Sequence, residues 1–205
     1  MKPIWSIAVA FCLAFLTFHP LAARAEAADP AARQIEVFYA TLLDTMKRSD
    51  ALGASGRYDE LATTIDKTFD LPQMTALSVG PDWATISPED RASLIAAFRR
   101  MTVANYVANF ASFDGQKFTV DPVVQTRGAD RIVKSELAPK GETPIAFIYR
   151  MRESGGTWKI VDIFLDGSVS QIAMRRSDFA ATVRSGGAMA LVKKLNTLAD
   201  KLVAG

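Results

Sequence analysis

The stretch that decides the fold is WKIVDIFLDGSVSQIAMRRSDF, which runs from Trp158 to Phe179. It begins with a run of β-branched and aromatic residues, a composition typical of a β-strand. Asp162 interrupts this run between apolar neighbours, and a carboxylate is costly to bury unless other groups bond to it. The strand therefore carries either a catalytic group or a structural one.

The strand that precedes it, residues 145–152, predicts which way Asp162 points. Side chains alternate along a strand, so Phe147 and Tyr149 lie on one face and Arg150 on the other. A hairpin turn of two or four residues would place Asp162 on the face of Tyr149, and a turn of three or five residues would reverse this. We predict the first arrangement, with Asp162 pointing inward beside Tyr149.

Asp162 beside Tyr149 has two interpretations. It could be a general base with a phenolic hydrogen-bond donor, the arrangement used by isomerases that form carbanions. It could instead be a structural carboxylate, bonded to backbone amides, to Tyr149, or to an arginine such as Arg175 or Arg176. We favour the structural role, because nothing else in the sequence converges on the pair.

Helical and strand-like periodicities divide the chain into an α+β domain. Ser87-Pro88-Glu89-Asp90 supplies a cap hydroxyl, a proline and acids for the first turn of a helix, and the second half of that helix is apolar almost all round. Helices are predicted from Asp29 to about Gly80, with a break at Gly53–Gly56 and a restart at Asp70-Leu71-Pro72, from Ser87 to about Phe110 and from Gln171 to the end. Strands are predicted over 118–125, 132–137, 144–151 and 158–165. Short Gly-containing connections suit antiparallel hairpins. We therefore expect N-terminal helices and a C-terminal helix over one face of a curved antiparallel sheet of about four strands, enclosing an apolar cavity.

The N-terminus has the pattern of a secretory signal peptide. Lys2 precedes an apolar segment over residues 4–18, and Ala23-Arg24-Ala25 follows as a cleavage pattern. The apolar segment is shorter than the roughly 20 residues that span a bilayer. We predict a cleaved signal over residues 1–25, a single domain over residues 26–205, and export to the periplasm.

Cleavage would remove Cys12 and His19, the only cysteine and the only histidine. Disulfides, zinc sites with Cys or His ligands and histidine bases would then be excluded. Loss of Lys2 and Arg24 leaves 22 of the 24 basic residues against 22 acidic ones. A formal charge of zero gives no indication of nucleic-acid binding, and we expect neither a cofactor nor a metal.

The quoted stretch resembles the C-terminal signature of the MlaC family, the periplasmic lipid-binding components of toluene-tolerance (Mla) ABC transport systems. The matching positions are Trp158-Lys159-Ile160, Asp162, Asp166-Gly167, Ser168 or Ser170, Arg175/Arg176 and Asp178-Phe179, and upstream Phe69-Asp70, Val79-Gly80, Trp83, Ser87-Pro88, Phe98 and Tyr106. Two details, Gly56-Arg57-Tyr58 and the segment Leu165–Ser170, resemble the hopanoid-associated branch, called HpnM.

The resemblance implies an NTF2-like or MlaC-like fold and a non-enzymatic carrier of hopanoid or phospholipid. It also implies partners in membrane transport complexes, either ABC/MCE-type or RND-type in the inner membrane, with an acceptor in the outer membrane. The alternatives are a periplasmic NTF2-like isomerase that uses Asp162 and Tyr149, and a structural accessory subunit with a filled core.

A carrier of this kind needs an apolar cavity. The predicted lipid-binding residues are Phe38, Leu42, Met74, Leu77, Trp83, Phe98, Met101, Tyr106, Phe110, Phe147, Tyr149, Met151, Ile160 and Phe164. Asp162, Arg175 and Arg176 are predicted to be structural polar residues. No residue is assigned a catalytic role.

Overall fold

A computed structural model describes residues 28–204. The predicted signal peptide lies outside this range. The helices are α1 (Pro30–Lys47), α2 (Ser49–Thr68), α3 (Leu71–Val79), a 3₁₀ helix (Gly80–Thr85), α4 (Pro88–Asn109) and α5 (Gln171–Ala204). The strands are β1 (Lys117–Val120), β2 (Gln125–Arg127), β3 (Asp130–Ala138), β4 (Ile145–Ser154), β5 (Thr157–Leu165) and β6 (Val169–Ser170).

The strands form one antiparallel sheet in the order β1-β3-β4-β5-β6, and β2 also pairs with β3. The predicted α+β class is confirmed, but the sheet has six strands where about four were expected. The segment predicted as one strand over 118–125 is divided into β1 and β2. Pro122 lies in the gap, and proline cannot donate a hydrogen bond to a neighbouring strand.

All the helices that contact the sheet cover the same face. Helix α1 packs against β1, β3 and β5, and helices α2, α3 and α5 pack against β5. The opposite face carries Asp130, Arg150 and Arg152. We call the helix-covered face the inner face and the charged face the outer face.

Local sequence signals set where the helices begin and bend. Ser87 Oγ accepts a hydrogen bond from Asp90 N at 3.1 Å, as the cap motif predicts. The predicted break at Gly53–Gly56 is a bend at Gly53, which has φ +61°. Helix α5 bends in the same way at Gly187, with φ +74°. Glycine reaches this left-handed region without steric strain, so each bend joins two helical segments.

The β4–β5 hairpin overturns the prediction for Asp162. Its turn is the two-residue Gly155-Gly156, so Met151 pairs with Ile160 as the parity argument requires. A β-bulge then leaves Val161 as an extra residue, and from that point the register is shifted by one. Asp162 consequently pairs with Arg150, on the face opposite to that of Tyr149. The prediction that Asp162 shares the Tyr149 face is therefore wrong.

The same shift reverses the rest of β5. Ile163 and Leu165 pair with Tyr149 and Phe147 and lie on the inner face, whereas Phe164 pairs with Ile148 on the outer face. A single inserted residue therefore exchanges which side chains of this strand meet the helices.

Candidate binding cavity

A cavity of about 470 Å³ lies between the inner face of the sheet and helices α1, α3, α4 and α5. Most of its wall consists of aromatic and aliphatic side chains. The predicted residues that line it are Leu42, Met74, Phe98, Met101, Tyr106, Phe110, Phe147 and Tyr149. They come from α1, α3, α4 with the adjoining Phe110, and β4, which are far apart in sequence and which the tertiary fold brings together.

Six of the predicted lipid-binding residues do not line this cavity. Phe38, Met151 and Ile160 are fully buried in the packed core, with 0% of their surface exposed. Phe164 lies on the outer face because of the bulge. Leu77 and Trp83 pack outside the cavity, where the Arg91 guanidinium lies 5.4 Å from the centre of the Trp83 ring.

The sequence reasoning missed a set of polar residues in the wall. Thr102, Asn105 and Asn109 on α4 face the cavity, as does Gln171 at the start of α5. Their spacing on α4 repeats at helical intervals, which places them on one face. This helical spacing of polar residues is visible in the sequence and could have identified them as one face of α4. The apolar wall residues that were missed are Tyr39, Phe69, Phe118, Leu137, Ile145, Ile163 and Leu165.

The exposure of the wall residues shows where the cavity opens. Leu42, Met74 and Phe98 are buried at its floor, whereas Ile145, at the start of β4, is 36% exposed. Leu165 at the end of β5 is also partly exposed. The rim of the cavity therefore includes the place where β4 begins and β5 ends, together with the exposed Asn109 at the end of α4.

Aromatic rings form a continuous surface along one side of the cavity. The Tyr39 and Phe118 rings stack with centroids 4.3 Å apart, and Phe110 lies 6.0 Å from Phe118. Tyr106 stacks on Phe110 at 5.6 Å. Such a surface offers contact area to an apolar ligand and no charge.

Hydroxyl groups at the cavity wall bond to one another. The Tyr39 hydroxyl lies 2.9 Å from the Tyr149 hydroxyl and 2.7 Å from Ser135 Oγ. Burial raises the pKa of Tyr39 to about 12 and raises the pKa of Tyr149 well above its usual value of 10.0. Both phenols are therefore neutral at physiological pH, and the wall around them carries no charge.

The Asp162 carboxylate is bonded to the start of α5. Its Oδ1 accepts hydrogen bonds from Ile163 N at 2.8 Å and from Ile172 N at 3.2 Å. Its Oδ2 accepts one from Ser170 Oγ at 2.6 Å, and Ser170 Oγ in turn accepts one from Ala173 N at 3.0 Å. A base–phenol pair of Asp162 and Tyr149 is not formed, because the bulge separates the two side chains onto opposite faces of the sheet.

The two adjacent arginines on α5 occupy different environments. Arg175 lines the cavity, and its Nη1 donates to Gln171 O at 3.0 Å. Burial lowers the pKa of the Arg175 guanidinium from its usual value. Arg176 lies outside the cavity against Gly80 and donates from Nε to Leu77 O at 3.0 Å. Neither arginine forms a hydrogen bond with Asp162 in the described range 28–204.

Two comparisons with known proteins agree with this architecture. The sequence profile of the family described as MlaC protein matches residues 37–197, most of the chain, and the chain therefore belongs to the MlaC family. The fold is similar to that of a phospholipid-binding protein from Ralstonia solanacearum, solved in complex with a phospholipid. The TM-score is 0.74 at 21% sequence identity, over 85% of this chain and 99% of the Ralstonia chain.

Proposed function

We propose that this protein is a periplasmic carrier that holds a lipid in its cavity and shuttles it between membrane transport components. The cargo is a phospholipid or a hopanoid, and no covalent chemistry is involved. The observation that supports this most directly is the cavity of about 470 Å³ between the sheet and the helices, with walls that are mainly apolar.

The physical need for such a cavity follows from the cost of exposing a lipid to water. Apolar surface costs roughly 25 cal/mol per Å² to expose, so several hundred Å² of acyl chain or ring surface costs on the order of 10 kcal/mol. A wall of neutral aromatic and aliphatic side chains removes most of that cost. The opening where β4 begins and β5 ends gives the cargo a route in and out.

Membership of the MlaC family supports the same function, and the phospholipid bound to the Ralstonia protein supports a lipid as the ligand of this fold. We further propose that residues 1–25 act as the export signal, that membrane complexes of the ABC/MCE or RND type exchange lipid with the carrier, and that an outer-membrane component is the other partner. Gly56-Arg57-Tyr58 and Leu165–Ser170 favour the hopanoid-associated branch.

The test is to identify what the protein carries. The protein is expressed in its native host, purified from the periplasm without detergent, and extracted for lipid mass spectrometry. We expect about one lipid per protein molecule. A periplasmic protein of similar size, purified in parallel, measures adventitious lipid, and a lipid content equal to that control would contradict the proposed function.

A further inference from the structure

The polar residues of the cavity wall are concentrated on its helical side. Thr102, Asn105 and Asn109 come from α4, and Gln171 and Arg175 come from α5. The sheet side is formed by apolar and aromatic side chains, such as Phe147 and Leu165. The cavity therefore has one wall with polar groups, on the helical side, and one apolar wall, on the sheet side. A ligand that fills it meets polar groups along the helical side only.

Arg175 is a cation in this wall without a counter-ion from the protein. Within residues 28–204, no carboxylate lies at ion-pair distance from its guanidinium. Its hydrogen bond to Gln171 O engages only Nη1. Arg175 is partly buried, and a partly desolvated charge is costly unless it is paired, so an anionic ligand would stabilise this arrangement.

The nearby carboxylate of Asp162 is not available to pair with Arg175. Asp162 attracts the guanidinium at longer range, but both of its oxygens are bonded, Oδ1 to Ile163 N and Ile172 N and Oδ2 to Ser170 Oγ. These bonds hold the carboxylate against the start of α5. Arg175 therefore lines the cavity without a hydrogen bond to Asp162.

Gln171 lies one helical turn before Arg175 and also lines the cavity. Among the described residues its Nε2 has only the Met174 sulfur as a partner, at 3.6 Å, and a thioether is a weak acceptor. Its donor capacity is therefore largely unused. Gln171 and Arg175 together offer several N–H groups at one place in the wall.

We propose that Arg175 and Gln171 form an anion subsite that binds the phosphate group of a phospholipid whose acyl chains fill the apolar side of the cavity. A guanidinium matches a phosphate because it presents parallel N–H donors to two oxygens. This inference rests on the proposed lipid-carrier function and narrows its cargo to lipids that carry a phosphate. An uncharged triterpenoid such as a hopanoid hydrocarbon has no group for this subsite.

The subsite is tested with two lipids that share their acyl chains. Dioctanoylphosphatidylglycerol and dioctanoylglycerol are titrated separately into lipid-free protein, and the dissociation constants are measured by calorimetry. We expect the phosphate-bearing lipid to bind at least about tenfold more tightly, the contribution of one charge-assisted pair. Arg175→Gln should remove most of that difference while leaving the affinity for dioctanoylglycerol within about twofold.

Two further variants act as controls. Arg175→Lys keeps the charge but loses the paired donors, so it should retain part of the preference. Arg184→Gln removes a charge from the same helix at a position outside the cavity and should leave both affinities unchanged. Retained binding of dioctanoylglycerol shows that each variant is folded.

The remaining outcomes separate failure of the subsite from failure of the carrier function. Equal affinity of the unaltered protein for both lipids, or an unchanged preference in Arg175→Gln, would overturn the subsite. Binding of a neutral hopanoid as tight as that of phosphatidylglycerol would also overturn it. If inorganic phosphate alone binds at Arg175 and neither lipid binds, the site belongs to free phosphate and the lipid-carrier function fails as well.

Discussion

Along β4, Met151 is fully buried against Ile160, whereas Phe147, earlier on the same inner face, borders an open cavity. Both ends of this face are built from large apolar side chains. At the Met151 end the chain between α2 and α3 is fastened to the sheet, because Asp70 N donates to Ile160 O at 2.9 Å. At the Phe147 end the chain that leads into α5 is also attached to the sheet, because β6 pairs with Phe164 and Leu165 of β5.

The difference between the packed end and the cavity end shows that apolar composition alone does not distinguish a core from a binding site. A helix junction is attached to the sheet at each end, so this attachment does not explain the difference. The packed end is filled by fully buried side chains such as Phe38. At the cavity end, the wall that α4 provides includes the small or polar side chains of Thr102, Asn105 and Asn109 among its apolar ones. The space that larger side chains would occupy is left for a ligand.

The largest expected effect comes from truncating one aromatic residue at each end. Phe38→Ala should lower the free energy of unfolding by about 3–5 kcal/mol, because the ring is fully buried and its removal leaves a void. Phe147→Ala should cost only roughly 1–2 kcal/mol, because this ring already borders empty space. Urea denaturation of the lipid-free variants measures both values. Equal losses would mean that the cavity end is packed in solution.

The next prediction concerns Asp162, whose carboxylate lies next to the β-bulge between the packed end and the cavity end. Asp162→Asn should lower the free energy of unfolding by about 1.5–3 kcal/mol, because three donors arranged around a carboxylate lose charge-assisted bonds. Asp166→Asn is the matched control in the following turn, at an exposed position with φ +48° that asparagine tolerates. Thermal melting measures both variants. An Asp162→Asn protein that melts like the control but has lost lipid binding would contradict a structural role.

Filling the cavity should reduce lipid binding more than it reduces the free energy of unfolding. Leu165→Trp adds bulk on the inner face at the opening, and we expect lipid affinity to fall by about tenfold. The unfolding free energy should change by less than the 1–3 kcal/mol or so typical of overpacking a filled core. Phe164→Trp, the neighbouring position on the outer face, is the matched control and should load normally. Equal loading of the two variants would show that the ligand does not occupy this opening.

The smallest effect is expected on the outer face, where Asp130 bonds to Arg152 Nε at 2.6 Å and to Arg150 Nε at 2.5 Å. Burial raises the pKa of the Asp130 carboxyl, but the two arginines outweigh burial and hold the pKa below its usual 3.8. Because the pKa is lower in the folded state, the resulting stability is fully present above about pH 4 to 5 and is lost as the pH falls further.

Asp130→Asn should therefore cost about 1 kcal/mol or less at neutral pH and should flatten the decline of stability below about pH 4. Denaturation at a series of pH values measures this decline. Asp59→Asn, at an exposed position on α2, is the control and should follow the unaltered protein. A steeper acid decline in Asp130→Asn would contradict the assigned pKa direction.

Much of the fold could be predicted from local patterns. The cap at Ser87 marked the start of α4, and the two glycines of the β4–β5 turn marked a tight hairpin. The position of Asp162 could not be predicted, because one bulged residue, Val161, reverses the strand parity and has no distinctive side chain. Phe164 was assigned to the wrong face for the same reason.

The wall of the cavity was only partly predictable. Tyr106 and Phe110 were selected as apolar residues of a helix, and they do border the cavity. Phe38 and Ile160 were selected on the same grounds and are packed in the core. Amphipathic spacing identifies which side chains turn inward, but it does not indicate whether another element fills the space opposite them.

The sequence by itself determined the order of helices and strands, the helix caps and the MlaC family signature, because these depend on neighbouring residues. Only the tertiary structure decided where the inner face is filled and where it is hollow, because that depends on the distance between elements far apart in the chain. It also decided that Asp162 is bonded to the start of α5 while Arg175 faces the cavity. The position of Asp162 follows from the register of β5, which a single bulged residue shifts.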